Sequence, residues 1–422
     1  MNTSKTIFFA SSNELTKIDV EDLKVGMYVA SLDRPWLETT FLYQGFELKN
    51  QADINAVSQQ CKFVYINIAK QGKSETFQLQ PLSDTKVNLN SPCLYKKTSS
   101  FTKEINHAGY VYKEASDLIK NFMEDMYLDR TFSVKMAKKA VANCVNSVLN
   151  APDALLWMTQ LKNRDLYTSQ HSMNVCILAI TLGRQINLTT DQLNIVGLCG
   201  MMHDMGKMRV PLDILNKPGK LEDGELKIMQ SHAEIGWQLL SESSEMSREA
   251  IDVAHSHHEH VDGTGYPRGL SGEKISLYTR IVAIVDMYDA ITSDRVYQKG
   301  RTHIDAISIM TKLCDTHLDA DLTYKFIECL GIYPPGSLVE MTNGEIAIIV
   351  EANPTRLKPK VLLLLNEHKQ PQEERMVDLS KVNADNTGQP YKILKTIRSD
   401  EVGIDLNVYY HNGVIAKGLA SM

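Results

Sequence analysis

The sequence lacks the features of a membrane-spanning, secreted or fibrous protein. No apolar run in its 422 residues approaches the length of about 20 residues that a membrane-spanning helix needs. The N-terminus has no basic stretch followed by a long apolar run, so we expect no signal peptide. The seven cysteines are odd in number and none is arranged as CxxC, which argues against a disulfide scaffold or a thiolate zinc site. We therefore expect a soluble, cytoplasmic protein with reduced cysteines.

A strong positive charge is also missing. Lys and Arg number 45 against 51 Asp and Glu, which gives a formal net charge of -6. No broad cationic field exists to attract duplex nucleic acid or a membrane surface, so we expect neither as a partner. A nucleotide substrate would have to be held by local contacts.

The pattern of the chain predicts four segments and a mainly α fold. Residues 1–100 mix short alternating runs such as MYVASL with a polar stretch, and predict a β-rich or α+β accessory domain and linker. Residues 101–150 show helical spacing and predict a helical connector. Residues 151–332 are almost wholly helical in pattern and form the main domain. Residues 333–422 carry strand-like runs such as EIAIIVEA and predict a small β appendage.

Seven of the twelve histidines fall within 90 residues of the main domain. One of them belongs to a predicted helix whose core-facing side chains would be His171, Val175, Leu178 and Leu182, so its imidazole points inward. A lone inward histidine is more often a core residue than a ligand. The presence of six other histidines nearby favours a metal site. These are His203, His232, His255, His257, His258 and His260.

Two aspartates accompany these histidines. His203 and Asp204 are adjacent at the end of a predicted apolar helix that begins near Thr189. Imidazole and carboxylate together suit iron, manganese, zinc or nickel, and a carboxylate can bridge two ions, which makes Asp204 the natural bridge. Asp286 lies in the apolar run IVAIVDMYDAI, where a carboxylate is costly to bury without a cation or hydrogen bonds. The alternative is that Asp286 pairs structurally while Asp289, one turn on, faces solvent.

Five histidines and two aspartates are enough for two metal ions that share a carboxylate. In such sites the ions lie about 3.5 to 4 Å apart, and a bridging hydroxide becomes a nucleophile at neutral pH. The residues therefore predict hydrolysis of a phosphodiester by in-line attack.

The order of these motifs, H...HDxGK...H...HHE...DGxGYP...D, resembles the HD-GYP family of cyclic di-GMP phosphodiesterases, a branch of the HD metal-dependent phosphohydrolases. The resemblance covers residues 151–333 and includes HDMGKMRVPLDILNKPGKL, HHEHVDGTGYPRGL and AIVDMYDAITSDRVY. It implies an HD-type helical bundle that binds two divalent transition-metal ions, with iron or manganese favoured and zinc or nickel as alternatives. Residues 17–73 also resemble an uncharacterised domain often found ahead of HD-GYP modules.

The resemblance assigns roles to individual residues. One ion would be held by His171, His203, Asp204 and Asp286, and the second by Asp204, His232, His257 and His258. Asp204 and Lys207 would be catalytic, with Lys207 contacting the scissile phosphate, although a salt bridge at the surface is the alternative for this lysine.

The GYP loop would contribute Gly265 and Tyr266 to the rim of the substrate pocket. In the family this loop is associated with contacts to diguanylate cyclases, so a protein partner is expected there. As turn chemistry alone, DGTGYP requires no function.

Two departures from the family pattern affect the metals and the substrate. Trinuclear members carry a glutamate four residues before the first histidine, but Tyr167 stands there in this chain, so we expect a dinuclear centre. The family's RPYK-like run reads RVYQ from Arg295 to Gln298. Arg295 is retained as a phosphate-binding residue, but the lysine is missing. A 3',3'-cyclic GMP-AMP is therefore an alternative substrate to cyclic di-GMP.

Two other functions stay open at the level of sequence. The chain could bind a cyclic dinucleotide and signal without turnover, or it could hydrolyse another phosphoester with the same metals. The sequence determines neither the final product nor the oligomeric state, for which a homodimer is one option.

Overall fold

The computed structural model separates into two compact units, Met1–Gln80 and Pro81–Met422. None of the helices described has the length and apolar character needed to cross a membrane. The residues described by the structure are 15–34, 46–48, 50–67, 87–89, 91–128, 130, 132–161, 167–294, 299–352, 357–385 and 387–413.

The N-terminal unit is a small α+β fold. Four antiparallel strands in the order β1-β4-β2-β3 lie with one helix that follows β3 in the chain. The helix begins at a capping box between Asn50 and Asp53, which satisfies its first backbone N–H groups. The elements are β1 (Leu15–Asp19), β2 (Tyr28–Leu32), β3 (Phe46–Glu47), α1 (Gln51–Gln60) and β4 (Phe63–Asn67).

The second unit begins with helices, which are followed by a sheet and two short helices. Its helices up to the sheet are α2 (Phe101–Tyr127), α3 (Val134–Asn150), α4 (Pro152–Met158), α5 (Tyr167–Gln185), α6 (Thr190–Met202), α7 (Leu212–Leu215), α8 (Asp223–Gln230), α9 (His232–Ser241), α10 (Arg248–Ser256), α11 (Leu277–Thr292), α12 (His303–Lys312) and α13 (Ala320–Leu330).

Helix α5 lies at the centre of this bundle. It contacts α2, α3, α6, α11 and α13, and residues 171–186 are all buried. The four side chains predicted to face inward, those of His171, Val175, Leu178 and Leu182, are each no more than 5% exposed, although the other side chains of this stretch are buried as well. The next helix, α6, begins at the predicted Thr189, whose side chain caps the backbone of Gln192.

The C-terminal strands form one antiparallel sheet in the order β8-β7-β6-β5-β9, followed by the short helices α14 (Ser399–Val402) and α15 (Leu406–His411). Successive residues of β6, such as Ile348 and Ile349, point to opposite faces of the sheet and belong to two different buried clusters. The cluster that contains Ile348 also includes residues of the helices. Both faces are therefore covered, which explains why the strands read as continuous apolar runs. The strands are β5 (Leu338–Met341), β6 (Ile346–Glu351), β7 (Lys360–Leu365), β8 (Pro371–Asp378) and β9 (Ile393–Ile397).

The predicted fold class is confirmed: a helical bundle, an N-terminal α+β part and a C-terminal sheet. Part of the predicted linker is attached to the bundle. The backbone N–H of Leu94 donates to Asn187 Oδ1 at 2.7 Å, and the Tyr95 hydroxyl donates to the carbonyl of Leu188 at 2.7 Å. The predicted domain boundaries stay predictions.

Candidate metal centre

The seven side chains predicted as metal ligands converge in the interior of the helical bundle. Five of them are buried, while His258 and Asp286 are half-buried. Most come from helix ends, where the chain can turn a side chain inward without interrupting a helix. They are His171 on α5, His203 and Asp204 just after α6, His232 at the start of α9, His257 and His258 just after α10, and Asp286 on α11.

A glycine brings the HD dipeptide to α9. After Asp204 the chain makes a 3-10 turn, Met205–Arg209, that packs against this helix. A Cβ atom on Gly206 would lie 1.9 Å from the carbonyl oxygen of His232 and 2.6 Å from the backbone nitrogen of Gly236. Only glycine permits this approach, so the G of the HDxGK motif sets the distance between Asp204 and His232.

The first cluster surrounds one oxygen of Asp204. The Nε2 atom of His171 lies 3.4 Å from Asp204 Oδ2 and 3.1 Å from Asp286 Oδ1. The Nε2 atom of His203 lies 3.2 Å from Asp204 Oδ2 and 3.7 Å from Asp286 Oδ1. The ligand atoms of His171, His203 and Asp286 fall within 4.8 Å of one another, so a single ion could contact all three.

The second cluster surrounds the other oxygen of Asp204. Asp204 Oδ1 lies 3.5 Å from His232 Nε2 and 3.7 Å from His257 Nε2. The Nε2 atom of His232 lies 3.2 Å from that of His257 and 3.1 Å from that of His258. Asp204 therefore faces one set of ligand atoms with each of its oxygens.

Backbone carbonyls fix the tautomers of three histidines. The Nδ1 atoms of His203, His232 and His257 lie 2.8 Å, 2.7 Å and 3.1 Å from the carbonyl oxygens of Gly200, Met229 and Ala254. Because a carbonyl only accepts, each Nδ1 carries the proton and each Nε2 presents a lone pair. Lone pairs from His232 and His257 then point at each other, an arrangement that a cation between them would stabilise.

Two buried polar atoms at the centre support the same interpretation. His203 Nε2 and Asp204 Oδ1 make no hydrogen bond of good geometry with any residue in the described ranges. Unpaired buried groups are rare and costly, and binding of an ion is one of their ordinary explanations. The donor set, imidazole with carboxylate, fits a divalent transition metal.

Burial and charge shift the titration of these groups in directions that suit a metal. Burial lowers the pKa of His232 to about 3 and holds the pKa of His258 well below its usual range, so both stay neutral. Burial alone would raise the pKa of Asp204, but the neighbouring His203 ring, the charge of Lys207 and a hydrogen bond with His171 outweigh it and keep the pKa well below its usual range. Asp204 is therefore a carboxylate.

His171 differs because three carboxylates face it. Burial opposes its charged form, but hydrogen bonds with Asp204, Asp286 and Asp289 raise its pKa well above the usual range. Without another cation, His171 attracts a proton to this cluster. A bound metal ion would supply the positive charge instead and leave the imidazole neutral.

Asp289 is the residue whose position the sequence did not reveal. The alternative in which Asp289 faces solvent is wrong, because its side chain is buried and its Oδ2 accepts a hydrogen bond from His171 Nδ1 at 2.7 Å. Asp286 and Asp289 are three residues apart on α11 and share a face, which was the signal that could have located it. Its second oxygen accepts from Asn174 Nδ2 at 2.9 Å.

Lys207 lies at the edge of the centre. Its Nζ atom is 2.5 Å from Asp204 Oδ2, and its side chain is 25% exposed. Lys207 is therefore partly open to solvent and forms a salt bridge with a buried carboxylate. Its catalytic role stays a prediction.

The GYP loop folds over the segment that carries His257 and His258. A Cβ atom on Gly265 would lie 2.3 Å from the backbone nitrogen of His260 and 2.5 Å from the carbonyl oxygen of His258, so only glycine fits. Next to it, Tyr266 stacks on His258. The loop also depends on Glu259, a buried carboxylate that accepts the backbone N–H groups of Arg268 and Leu270, each at 2.8 Å.

The two remaining histidines of the sequence cluster point elsewhere. His255 Nε2 pairs with Glu234 Oε2 at 2.8 Å, and its ring stacks on Trp237. The ring of His260 lies 4.0 Å from that of His317. Neither belongs to the two clusters around Asp204.

Arg295 and the rest of the RVYQ run, residues 295–298, lie outside the described residues, as does the side chain of Tyr167. The flanks of that run contact the segment that follows β9. Asp294 Oδ1 accepts from the backbone N–H of Gly300 at 2.8 Å and lies 3.4 Å from Arg398 Nη2. Lys299 donates a hydrogen bond to Asp400.

Family models match most of the chain in two parts. The HD domain matches residues 152–322, which include all seven predicted metal ligands. A domain of unknown function, DUF3391, matches residues 15–137. The second match therefore runs from the N-terminal unit through α2.

Three enzymes illustrate the sequence similarity. A cyclic di-GMP phosphodiesterase of Pseudomonas aeruginosa is 36% identical over 372 residues, which are 87% of this chain and 89% of that protein. A 3'3'-cGAMP-specific phosphodiesterase of Vibrio cholerae is 34% identical over 40% of this chain and 36% of its own length. A cyclic di-GMP phosphodiesterase response regulator of Xanthomonas campestris is 37% identical over 36% of this chain and 40% of its own length.

Two solved structures align with parts of this chain. An HDG"Y"P protein from Bdellovibrio bacteriovorus aligns with 75% of this chain and 99% of its own, with a TM-score of 0.47 and 16% identity. A cyclic GMP-AMP-specific phosphodiesterase of Vibrio cholerae aligns with 42% of this chain and 48% of its own, with a TM-score of 0.32 and 16% identity.

Proposed function

Because the chain belongs to the HD-GYP family of phosphodiesterases, we propose that it hydrolyses a phosphodiester bond of a cyclic dinucleotide with two metal ions held around Asp204. The observation that carries this proposal is the position of Asp204, whose two oxygens face two separate sets of ligand atoms. A carboxylate placed in this way would serve as a ligand to both ions.

The same residues as in the sequence analysis would hold the ions. His171, His203 and Asp286 would complete the first site, and His232, His257 and His258 the second, with Asp204 common to both. When bound, such ions lower the pKa of water and polarise the phosphoryl group. Iron and manganese remain our first expectation, with zinc and nickel as alternatives. The ligand set is compatible with all four metals, which accept imidazole and carboxylate together.

The protein's own side chains would orient the substrate and stabilise its charge. Lys207, partly exposed beside Asp204, would contact the scissile phosphate and stabilise the negative charge of the leaving oxygen. Gly265 and Tyr266 would form the rim on the side of His258. Arg295 would bind a second phosphate, since a guanidinium can donate two parallel hydrogen bonds to it.

Cyclic di-GMP is the first substrate to test. The relative that matches along 87% of this chain is a cyclic di-GMP phosphodiesterase, whereas the 3'3'-cGAMP-specific enzyme matches 40% of it. The missing lysine at Gln298 keeps 3',3'-cyclic GMP-AMP as the second candidate.

A screen of metal-loaded protein would test the proposal. Cyclic di-GMP, 3',3'-cyclic GMP-AMP, a linear dinucleotide and a nucleoside triphosphate would be incubated separately and the products separated by chromatography. We expect loss of a cyclic dinucleotide and appearance of the linear form. Tight binding of the cyclic dinucleotide without any product would indicate a silent receptor. Cleavage of the triphosphate alone would indicate another phosphohydrolase.

The rim of the site also supports the expected protein contact. Pro267, Arg268 and Gly269 follow Tyr266 and are exposed, although Arg268 Nη2 binds Asp252 at 2.9 Å. An exposed loop held in a fixed conformation is a suitable docking element. A diguanylate cyclase would be the first partner to test, by measuring its binding to the wild type and to a Pro267→Ala variant.

A further inference from the structure

A continuous set of buried hydrogen bonds connects the metal centre with α2. His171 Nδ1 donates to Asp289 Oδ2 at 2.7 Å, Asn174 Nδ2 donates to Asp289 Oδ1 at 2.9 Å, and the Tyr112 hydroxyl donates to Asn174 Oδ1 at 3.0 Å. All four side chains are no more than 7% exposed. We call this set the relay: Tyr112, Asn174, Asp289 and His171.

The relay determines how His171 faces the metal centre. In the neutral ring that a bound metal ion would require, Nδ1 carries the proton donated to Asp289, and the lone pair is on Nε2, the atom that faces Asp204 and Asp286. A carboxylate that holds a histidine in this way fixes the orientation of the ring and raises its strength as a ligand. Asp289 is in turn fixed by Asn174, and Asn174 by Tyr112.

The far end of the relay lies on a helix that is connected in sequence to the N-terminal unit. Tyr112 is on α2, which is capped by Ser100 and contacts α3, α4 and α5. The family model that matches the N-terminal unit continues to residue 137, so it includes α2. The N-terminal segment and α2 therefore recur together as one sequence unit.

From these observations we propose that the relay couples metal affinity to the position of α2, with Tyr112, Asn174 and Asp289 as positioning residues for His171. The inference rests on the metal centre proposed above. A shift of α2 would withdraw the Tyr112 hydroxyl, leave Asn174 and Asp289 without full support and loosen the ring of His171. The coupling is reciprocal, because any arrangement of α2 that favours metal binding is itself favoured by the metal.

Metal affinity measured on the full-length chain tests the relay directly. Metal-free protein would be titrated with Mn²⁺ in a calorimeter, and folding would be checked by circular dichroism. Changes to the residue that supports a metal-ligating histidine typically weaken binding about 10- to 100-fold, and we expect this for Asp289→Asn. Tyr112→Phe removes a hydroxyl that is connected to Asp289 through two hydrogen bonds of the relay, and it should weaken binding about 3- to 10-fold.

Two matched controls separate the relay from a general loss of stability. Tyr110→Phe removes a hydroxyl from the same helix, where Tyr110 is exposed and bonds Glu114. Tyr391→Phe removes a buried hydrogen bond of 2.6 Å to Glu345 in the cluster of the C-terminal sheet, away from α2 and the relay. Both variants should bind Mn²⁺ as the wild type does, although Tyr391→Phe should be less stable.

A double variant tests whether Tyr112 acts through Asp289. In an Asp289→Ala background, Tyr112→Phe should cause no further loss of affinity, because the connection is already broken. Wild-type Mn²⁺ affinity in a folded Tyr112→Phe variant, or losses that simply add in the double variant, would overturn the inference. A chain that shows the predicted Mn²⁺ affinities and cleaves no cyclic dinucleotide would refute only the proposed function.

Discussion

The ring of Tyr266 stacks on the ring of His258, with centroids 4.7 Å apart and planes inclined by 24°. This contact joins the predicted substrate rim to the second set of metal ligands. Burial against this segment raises the pKa of Tyr266 well above its usual range, so its hydroxyl stays protonated. The GYP loop is therefore packed directly against a predicted metal ligand.

A methyl group at Gly265 should separate the GYP loop from the metal centre. In Gly265→Ala the new Cβ would meet backbone atoms 2.3 to 2.5 Å away, which forces the loop off residues 258–260. We expect a loss of stability of about 1 to 3 kcal/mol and a loss of most of the activity, measured by urea denaturation and by hydrolysis of cyclic di-GMP. Gly224→Ala is the control, because a Cβ there meets nothing within 4 Å. Equal behaviour of the two variants would contradict the packing argument.

His303 should make the stability of the metal-free protein depend on pH. Its Nδ1 accepts from the Tyr288 hydroxyl at 2.9 Å and its Nε2 donates to the carbonyl of Gly331 at 2.8 Å. Burial lowers its pKa to about 4 from the usual 6.5. The unfolded chain then binds the proton more readily than the folded chain. The contribution of neutral His303 to the free energy of unfolding is therefore complete above pH 6.5 and decreases as pH falls towards 4, by up to about 3 kcal/mol.

The measurement for His303 is a comparison of metal-free wild type with His303→Gln. Free energies of unfolding from urea titrations at pH 7.5, 5.5 and 4.5 would be subtracted at each pH. The glutamine is neutral throughout, so the wild type should lose stability relative to the variant below pH 6.5. A difference that stays constant between pH 7.5 and 4.5 would show that His303 does not change its protonation on unfolding.

Arg295 should control the binding of substrate without affecting the metals. Removing a charge-assisted pair of hydrogen bonds to phosphate costs about 1.5 to 3 kcal/mol, so Arg295→Ala should raise KM about 10- to 100-fold. Metal content should be unchanged, because no ligand is lost. KM of Arg295→Lys should lie between those of the wild type and Arg295→Ala, since lysine cannot donate two parallel hydrogen bonds. An unaltered KM in Arg295→Ala would show that Arg295 does not bind the substrate.

Gln298 should influence the choice between substrates. The family's lysine at this position would add a second cation, so Gln298→Lys should increase kcat/KM for cyclic di-GMP relative to 3',3'-cyclic GMP-AMP. The ratio of the two kcat/KM values, measured in wild type and variant, checks this expectation. The same ratio in both proteins would mean that the position does not contribute to preference.

The sequence predicted the parts of the fold that depend on local patterns. Helical spacing predicted that His171 is buried in α5, and an apolar helix that begins near Thr189 was correctly predicted. The apolar runs near Ile348 and Leu362 correctly predicted strands. These features follow from periodicity and capping, which are properties of neighbouring residues.

The details that sequence could not give depend on contacts between distant segments. Tyr112 and Asp289 are 177 positions apart, and Asn174 joins them only because α2 and α11 both pack on α5. Helical spacing puts Tyr112 on the same apolar face as Ala115 and Ile119, but it does not reveal that the hydroxyl binds Asn174. In the same way, the role of Gly206 as the contact point with α9 becomes visible only when the carbonyl of His232 is located.

The measurement that most directly tests the shared role of Asp204 is the metal content of the wild type, Asp204→Ala and His255→Ala by elemental analysis. His255 is a buried histidine that pairs with Glu234 outside the two clusters, so it serves as the control. Two ions per chain are expected in the wild type and in His255→Ala. Asp204→Ala should lose both ions and all hydrolysis of cyclic dinucleotide. Retention of two ions by Asp204→Ala would contradict the account.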